Sequence, residues 1–305
     1  MLWYDSLDKK IADYLPDLKM LKEEPMAAHT SFRVGGPARR MAFPATAEQM
    51  VLLVNFAREC GTEPIIVGNG TNLLAPDEGL ERLVIDTRDM AKVELGERPG
   101  EIKAEAGVSL AWAAIFAMEH ELTGLEFAHG IPGSVGGAVS MNAGAYGGEM
   151  KDVLAGAAVL FPEEGIKYLS VEELELSYRH TLLTDHPEAV VLYAVFHLTP
   201  GVKEEIKGKM DELMARRKAS QPLEYPSAGS FFKRPAGHFA GALIEQAHCK
   251  GLTVGGAQVS EKHAGFLINT GRATCNDVLE LMKEVQRIVY QDSGVMLEPE
   301  VRILH

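Results

Sequence analysis

The glycines of this chain are unevenly placed, and their placement constrains the fold more than any other feature. The chain has 305 residues and 30 glycines, and Gly130, Gly133, Gly136, Gly137, Gly144, Gly147 and Gly148 crowd into the stretch His129–Glu149. A residue without a Cβ lets two backbones, or a backbone and a ligand, approach closely, and it opens positive φ. In a helix or strand interior each glycine costs about 0.5–1 kcal/mol relative to alanine. The stretch therefore predicts loops and short elements held by close backbone contact. A smaller turn of the same kind, Val67-Gly68-Asn69-Gly70-Thr71-Asn72-Leu73, follows an apolar run and can face an anion with bare N–H groups.

Around these segments, helical and strand patterns alternate. Thr46 and Gln49 form a capping box ahead of Met50, Val51, Leu53, Val54 and Ala57, and Gly61 closes the helix. Short apolar runs at 40–43 and 64–67 flank it, an order that predicts a βαβ unit with a parallel sheet. Further strands are predicted at 83–86 and 102–106, then a helix from Val108 to about Glu121. After the glycine-dense stretch come a hairpin of 153–160 with 166–169 and a short helix capped by Ser170 with Glu173, ending near Ser177. A strand at 189–198, a charged helix at 203–218 and the proline-spaced stretch 221–226 lead into the last domain. There the pattern predicts helices at 239–249 and 276–291 and a strand at 265–269. The chain closes on a β-prone run, 295–304, in which Glu298 and Glu300 would share one face of a strand.

Composition excludes several classes. Lys plus Arg number 30 against 43 Asp plus Glu, a formal net charge of −13, which argues against nucleic acid or an anionic membrane as partner and requires local cations for any anionic ligand. Cys60, Cys249 and Cys275 are odd in number and far apart, so neither a disulfide framework nor a zinc site is expected. No histidines have metal-ligand spacing, since His120-Glu121 lacks a second histidine four residues after the first. Met1–Lys10 has no apolar core, and the longest mostly apolar stretch, Leu110–Met118, cannot span a bilayer. A cytoplasmic protein without a membrane anchor is expected.

The first glycine turn is not the Rossmann fingerprint, because Leu73 stands where its third glycine would be, and Gly208-Lys209, followed by Met210, makes no Walker loop. The segment Gly130-Ile131-Pro132-Gly133-Ser134-Val135-Gly136-Gly137-Ala138 reads either as a second anion cradle or as a buried crossing of two chain segments. The small residues from Met141 to Glu149 leave room for a flat ring system.

Taken with Thr30-Ser31-Phe32-Arg33-Val34-Gly35-Gly36-Pro37-Ala38, these two turns resemble the UDP-N-acetylenolpyruvoylglucosamine reductase family. The resemblance continues through Ser177-Tyr178-Arg179, Ala228-Gly229-Ser230-Phe231-Phe232-Lys233-Arg234-Pro235 and Leu297-Glu298-Pro299-Glu300-Val301-Arg302. It implies an α+β chain: a two-lobed FAD-binding fold of the vanillyl-alcohol-oxidase (PCMH) type with a third α/β substrate-binding domain. The expected division is 1–88 for the first FAD lobe, 89–202 for the second, with 299–305 returning to it, and 203–298 for the substrate domain. Only the short segment 180–188 separates Arg179 from the strand at Ala189, so the chain resembles the family's shorter form, without its extra substrate-covering loop.

The resemblance also implies non-covalent FAD, NADPH as reductant, a UDP-sugar substrate, bacterial peptidoglycan precursor synthesis, and no obligate protein partner. In that reaction a hydride reaches the β carbon of an enolpyruvyl ether, so negative charge collects at the α carbon and its carboxylate. Arg179 is implied as the forked cation on that carboxylate, and Glu300, in neutral form, as donor to the enolate, with Glu298 its nearest rival. Ser230 is implied as proton donor, helped by Lys233. Tyr146, Lys233 and Arg234 are implied at the substrate pyrophosphate. For FAD the implied residues are Arg33, then Gly68, Asn69, Gly70, Thr71 and Asn72 of the first turn. Gly130, Pro132, Gly133, Ser134, Gly136 and Gly137 of the second follow, with Asn142, Gly144 and Ala145 beyond it. His129 is either a flavin contact or a packed loop residue. A same-fold oxidase of an alcohol or hydroxy acid is the alternative, but covalent flavin attachment would need a His or Cys where Asn69, Thr71 and Asn72 stand.

Overall fold

The computed structural model describes residues 2–305. The chain divides into two compact units, the first comprising Met1–Lys22, Arg39–Asn69 and Arg82–Ala215, the second Glu23–Ala38, Gly70–Glu81 and Arg216–His305. Neither unit is a contiguous stretch. The segments 23–38 and 70–81, assigned above to the first lobe, count with the C-terminal third.

Unit 1 is organised by two sheets. One orders its strands Lys19–Pro25, Pro37–Phe43, Leu80–Asp86, Ile65–Val67, three of which carry the chain across the division. The capping box forms one residue out of register: Thr46 Oγ1 accepts from the Gln49 N–H, while Gln49 Oε1 accepts from the Ala45 N–H. The strands flanking the helix Ala47–Glu59 are not neighbours, however. Leu80–Asp86 lies between them and runs parallel to Ile65–Val67, so the βαβ unit spans an inserted strand. The other sheet, entirely antiparallel, runs Gly165–Ser170, Leu154–Phe161, Val190–His197, Glu101–Glu105, Val93–Leu95.

Alternation along its inner strands explains why they read as unbroken apolar runs. Ala158, Leu160, Val190 and Leu192 pack with Leu7, Ile11, Met50, Leu53 and Ile85, from the N-terminal helix Trp3–Tyr14, the helix Ala47–Glu59 and the first sheet. Ala157, Val159 and Val191 turn the other way, onto the helix Leu110–Glu119 and the short helix Val135–Ser140. The helix expected after Ser170 is absent. Ser170 and Glu173 do make their reciprocal bonds, but Glu175 takes a φ of 50°, which reverses the chain before a helical turn can propagate.

In unit 2 the strands Ser227–Ser230, Phe266–Asn269, Ala257–Val259 and Thr253–Val254 form an antiparallel sheet. The helices Ala240–Gln246 and Cys275–Ser293 pack on it, and Phe32, Val34 and Leu74 from the early segments join the same core. The longer helix is capped twice. Thr274 and Asp277 form a capping box, and the Asp77 carboxylate accepts from the N–H groups of Cys275 and Asn276 at 2.8 and 3.0 Å. The closing run 295–304 is not a continuous strand. Pro299 makes an isolated bridge to Phe232, and only Arg302–Ile303 forms a strand, parallel to Leu73–Leu74, because proline supplies no N–H to extend a ladder. No helix among the described residues is long and apolar enough to cross a membrane.

The three cysteines are free, Cys60 half-buried and Cys249 and Cys275 buried. Burial, with Asp77 and Glu78 adding, pushes the Cys275 thiol up to about 11, and burial also raises Cys249. Alkylation of the native protein at pH 8 should therefore modify Cys60 alone, and denaturant should expose all three, as read by intact mass. Native-state labelling of Cys275 would contradict this packing.

Candidate functional site

The two glycine turns meet in unit 1. Past Val67 the backbone runs so close to the second turn that a side chain at Gly68 would collide with the Ser134 hydroxyl, and Asn69 Nδ2 donates to the Pro132 carbonyl at 3.4 Å. The second turn is tied down by main-chain bonds: the Leu110 N–H to Gly133 O at 3.0 Å, and the N–H groups of Val135 and Gly136 to Val108 O and Ala106 O, both at 2.8 Å. This tie accounts for Gly136, whose Cβ would stand 2.8 Å from that of Ala106.

Gly137 is different. It is exposed, and a Cβ there would meet only Ser134 Oγ, at 3.4 Å. Nothing in the protein requires glycine at 137, whereas a ligand lying on that backbone would. His129 Nδ1, beside the second turn, is buried without a partner, and burial holds that imidazole below the usual histidine pKa. A bare, exposed backbone at Gly137 and a buried ring nitrogen without a partner suit a flat anionic cofactor, so the residues present fit FAD.

The small residues that follow form a hairpin. Gly144–Ala145 pairs with Gly148–Glu149 in a two-residue hairpin, with Tyr146 and Gly147 at its tip, φ 55° and 90°, as a type I′ turn requires. A Cβ at Gly144 would lie 2.6 Å from Gly148 O, and one at Gly148 would lie 2.6 Å from the Phe127 ring. Glycine at 144 and 148 is thus also required by the hairpin's own packing.

Arg179 sits in a tight turn in which the Ser177 carbonyl accepts from the His180 N–H at 3.2 Å and the Ser177 N–H donates to His180 O at 3.0 Å. Its φ is 55°, at the turn position where glycine is usual, and its guanidinium lies over the Tyr178 ring, 5.1 Å from the centroid. Asn142, expected at the cofactor, spends its amide inside the protein. Nδ2 donates to Glu149 Oε2 and to Ser177 O, both at 2.9 Å, and Oδ1 accepts from the Lys151 N–H at 3.0 Å. The Glu149 carboxylate is held below the usual range by Lys151 first, then by Asn142 and the charge of Arg179, against the effect of burial.

The other expected site residues lie in unit 2. Ser230 ends its strand, pairing with Phe266. The next residues run beside the chain terminus: the Glu300 N–H donates to Phe231 O and the Lys233 N–H to Glu298 O, each at 2.8 Å. This bridge brings the Ser230, Lys233 and Glu300 segments together. Lys233 Nζ lies 3.7 Å from Glu298, so the rival acid pairs with a cation and is mostly exposed. Asn72, expected at the cofactor, donates from Nδ2 to Glu300 O at 3.1 Å, and its carbonyl accepts from the Arg302 N–H. Gly70 (φ 63°) is glycine for an internal reason, since any side chain would strike the His29 carbonyl. Arg33 is exposed with a φ of 55°, and Arg234 stacks on exposed Phe239 at 4.7 Å. Sequence reasoning missed Glu149 and the roles of both asparagines. The one visible signal was that asparagine tolerates the left-handed backbone that Asn142 adopts, φ 45°.

Comparison with known proteins identifies the family and the fold. Residues 38–169 match a family model described as FAD binding domain, and residues 221–304 match one described as UDP-N-acetylenolpyruvoylglucosamine reductase, C-terminal domain. The UDP-N-acetylenolpyruvoylglucosamine reductase of Caldanaerobacter subterraneus subsp. tengcongensis is 48% identical, covering 97% of each chain. That of Agathobacter rectalis is 49% identical at the same coverage. The crystal structure of UDP-N-acetylenolpyruvylglucosamine reductase from Thermus caldophilus superposes with a TM-score of 0.80 at 35% identity, covering 94% of this chain and 99% of that one. Alkyldihydroxyacetonephosphate synthase, 18% identical with a TM-score of 0.50, covers 65% of this chain and 40% of its own, and shares the fold alone. The expected fold class, a PCMH-type FAD-binding fold with a further domain, holds, and the chain belongs to the UDP-N-acetylenolpyruvoylglucosamine reductase family.

Proposed function

We propose that this chain reduces the enolpyruvyl ether of UDP-N-acetylglucosamine-enolpyruvate to the lactyl ether with NADPH, giving UDP-N-acetylmuramate for peptidoglycan, in the bacterial cytoplasm and without an obligate protein partner. The observation that carries the reading is identity near one half with reductases of that name along 97% of the chain. When bound, FAD supplies a two-electron relay from NADPH to the substrate β carbon. The two sheets of unit 1 are proposed as the two FAD lobes. Gly68–Asn72 and Gly130–Gly137 would hold the pyrophosphate through main-chain N–H groups, and His129 Nδ1 is available to a polar edge of the cofactor.

The chain's own residues then have a defined task. An electron-rich enol ether accepts hydride only if the charge arriving at its α carbon and carboxylate is neutralised. Arg179 supplies a fixed cation for the carboxylate. Glu300, in its neutral form, donates a hydrogen bond to the enolate oxygen, and Ser230 gives its proton to the α carbon, with Lys233 favouring the alkoxide that remains. Tyr146, Lys233 and Arg234 are proposed at the substrate pyrophosphate, where local cations must offset a chain charge of −13.

Purified protein should be yellow, and its flavin bands should bleach when NADPH is added anaerobically and return with the enolpyruvyl sugar nucleotide. A protein that takes up no FAD would refute the function. Ser230→Ala should leave the NADPH-dependent bleaching near wild type while slowing substrate-dependent recovery by about 10²–10⁴-fold. Equal slowing of both halves would make Ser230 structural.

Adjacent glycines should separate fold from cofactor. Gly136→Ala, pressed against Ala106, should cost about 1–3 kcal/mol of stability. Gly137→Ala should keep the thermal midpoint of the apoprotein and lose FAD affinity, measured by quenching of flavin fluorescence. Full FAD affinity in Gly137→Ala would move the cradle elsewhere.

A further inference from the structure

Arg179 adopts a backbone conformation that costs a non-glycine residue of order 1 kcal/mol or more, and such strain persists only where the surroundings impose it. Here the surroundings are specific. Upstream of the turn, the Ser177 carbonyl accepts from Asn142 Nδ2 at 2.9 Å. Downstream, Thr181, fully buried, donates from Oγ1 to the Ser140 carbonyl at 3.2 Å. Ser140 ends the short helix that opens at the second glycine turn, and Asn142 follows it by two residues. One segment therefore grips the Arg179 turn on both sides. Asn142 is fully buried, and both of its amide hydrogens and its carbonyl oxygen are used within the protein. Its second amide hydrogen goes to Glu149, which Lys151 also holds at 3.0 Å.

We propose that Asn142 is a positioning residue for Arg179, clamping the turn that carries the guanidinium onto the cofactor-binding segment, with Glu149 as the anchor that orients the Asn142 amide. The inference rests on the role given to Arg179 above and adds the group that fixes its place. A buried amide suits this task. It offers two donors in a fixed plane, so Ser177 O and Glu149 are held in one relative geometry, and no other buried donor is needed to satisfy the Ser177 carbonyl. The guanidinium charge of Arg179 in turn contributes to holding the Glu149 carboxylate below its usual range, after Lys151 and Asn142.

The test is a double-mutant cycle on the FAD-loaded enzyme with two further readouts, FAD content and substrate affinity. Asn142→Gly preserves the left-handed backbone and removes the amide. Asn142→Asp keeps the shape and replaces the donors if the glycine variant does not fold. Bleaching by NADPH should stay within about 2-fold of wild type, and FAD should remain stoichiometric. Substrate-dependent recovery should fall about 10–100-fold, the scale of a misplaced reacting group, and substrate binding, read from the perturbed flavin spectrum, should weaken. In an Arg179→Ala background the same Asn142 change should have less than about 2-fold further effect, because its target is gone. Glu149→Gln should act in the same direction and be milder.

Additive losses in the double variant, equal slowing of both half-reactions, or loss of FAD from folded Asn142→Gly would each overturn the proposal. An Arg179→Ala enzyme that turns over normally would instead refute the role assigned to Arg179, a result distinguishable from the other three.

Discussion

The main-chain tie between Ala106–Leu110 and Gly133–Gly136 is the contact on which the unit 1 site depends. Three hydrogen bonds of 2.8–3.0 Å hold it, and it exists only because Gly136 has no Cβ to set against Ala106. From it follow the start of the helix Val135–Ser140, the exposed bare backbone at Gly137, the Ser140 carbonyl that receives Thr181 and the place of Asn142. The proposed cofactor cradle and the Arg179 turn thus share one short segment. A change that shifts the segment would be felt by both; within it a Cβ at Gly136 would press on Ala106, whereas one at Gly137 would meet only Ser134 Oγ.

Unit 2 reaches its arrangement by a different route. The bridge from Phe231 and Lys233 to Glu298 and Glu300 is made by main-chain hydrogen bonds, with the Lys233 side chain also 3.7 Å from Glu298, and it sets the spacing of the Ser230, Lys233 and Glu300 backbone. Asn72 then fixes the Glu300 carbonyl from the first glycine turn. In each unit an asparagine in or shortly after a glycine turn holds backbone next to a proposed catalytic side chain. A neutral amide does this without adding charge near groups whose ionisation matters to the chemistry.

How much of this was legible in the sequence varies with the range of the interaction involved. The helices Ala47–Glu59, Leu110–Glu119 and Cys275–Ser293 and the strands 154–161 and 190–197 fall where apolar periodicity and capping residues put them, because those signals are local. The errors came where a distant partner decides. Ser170 and Glu173 form their box and no helix follows; Pro299 breaks a run that composition alone reads as a strand; and Leu80–Asp86 slips between the two strands of the expected βαβ unit. The segments 23–38 and 70–81 belong with residues more than a hundred positions away, an affinity that no local pattern encodes.

The sequence by itself determined the family, through ordered motifs whose residue types the chemistry requires, and determined that the two glycine turns are the places of close backbone approach. Only the tertiary structure decided what each close approach is for. Gly68, Gly70, Gly136, Gly144 and Gly148 are bare because another part of the protein passes there, and Gly137 because nothing in the protein does. The side-chain partners of Asn72 and Asn142 were likewise not legible from the residues around them. Their amides are aimed at Glu300 and Ser177, residues far along the chain, and hydrogen-bond partners at such separations are set by where folding brings the backbone, which the identity of a single residue does not specify.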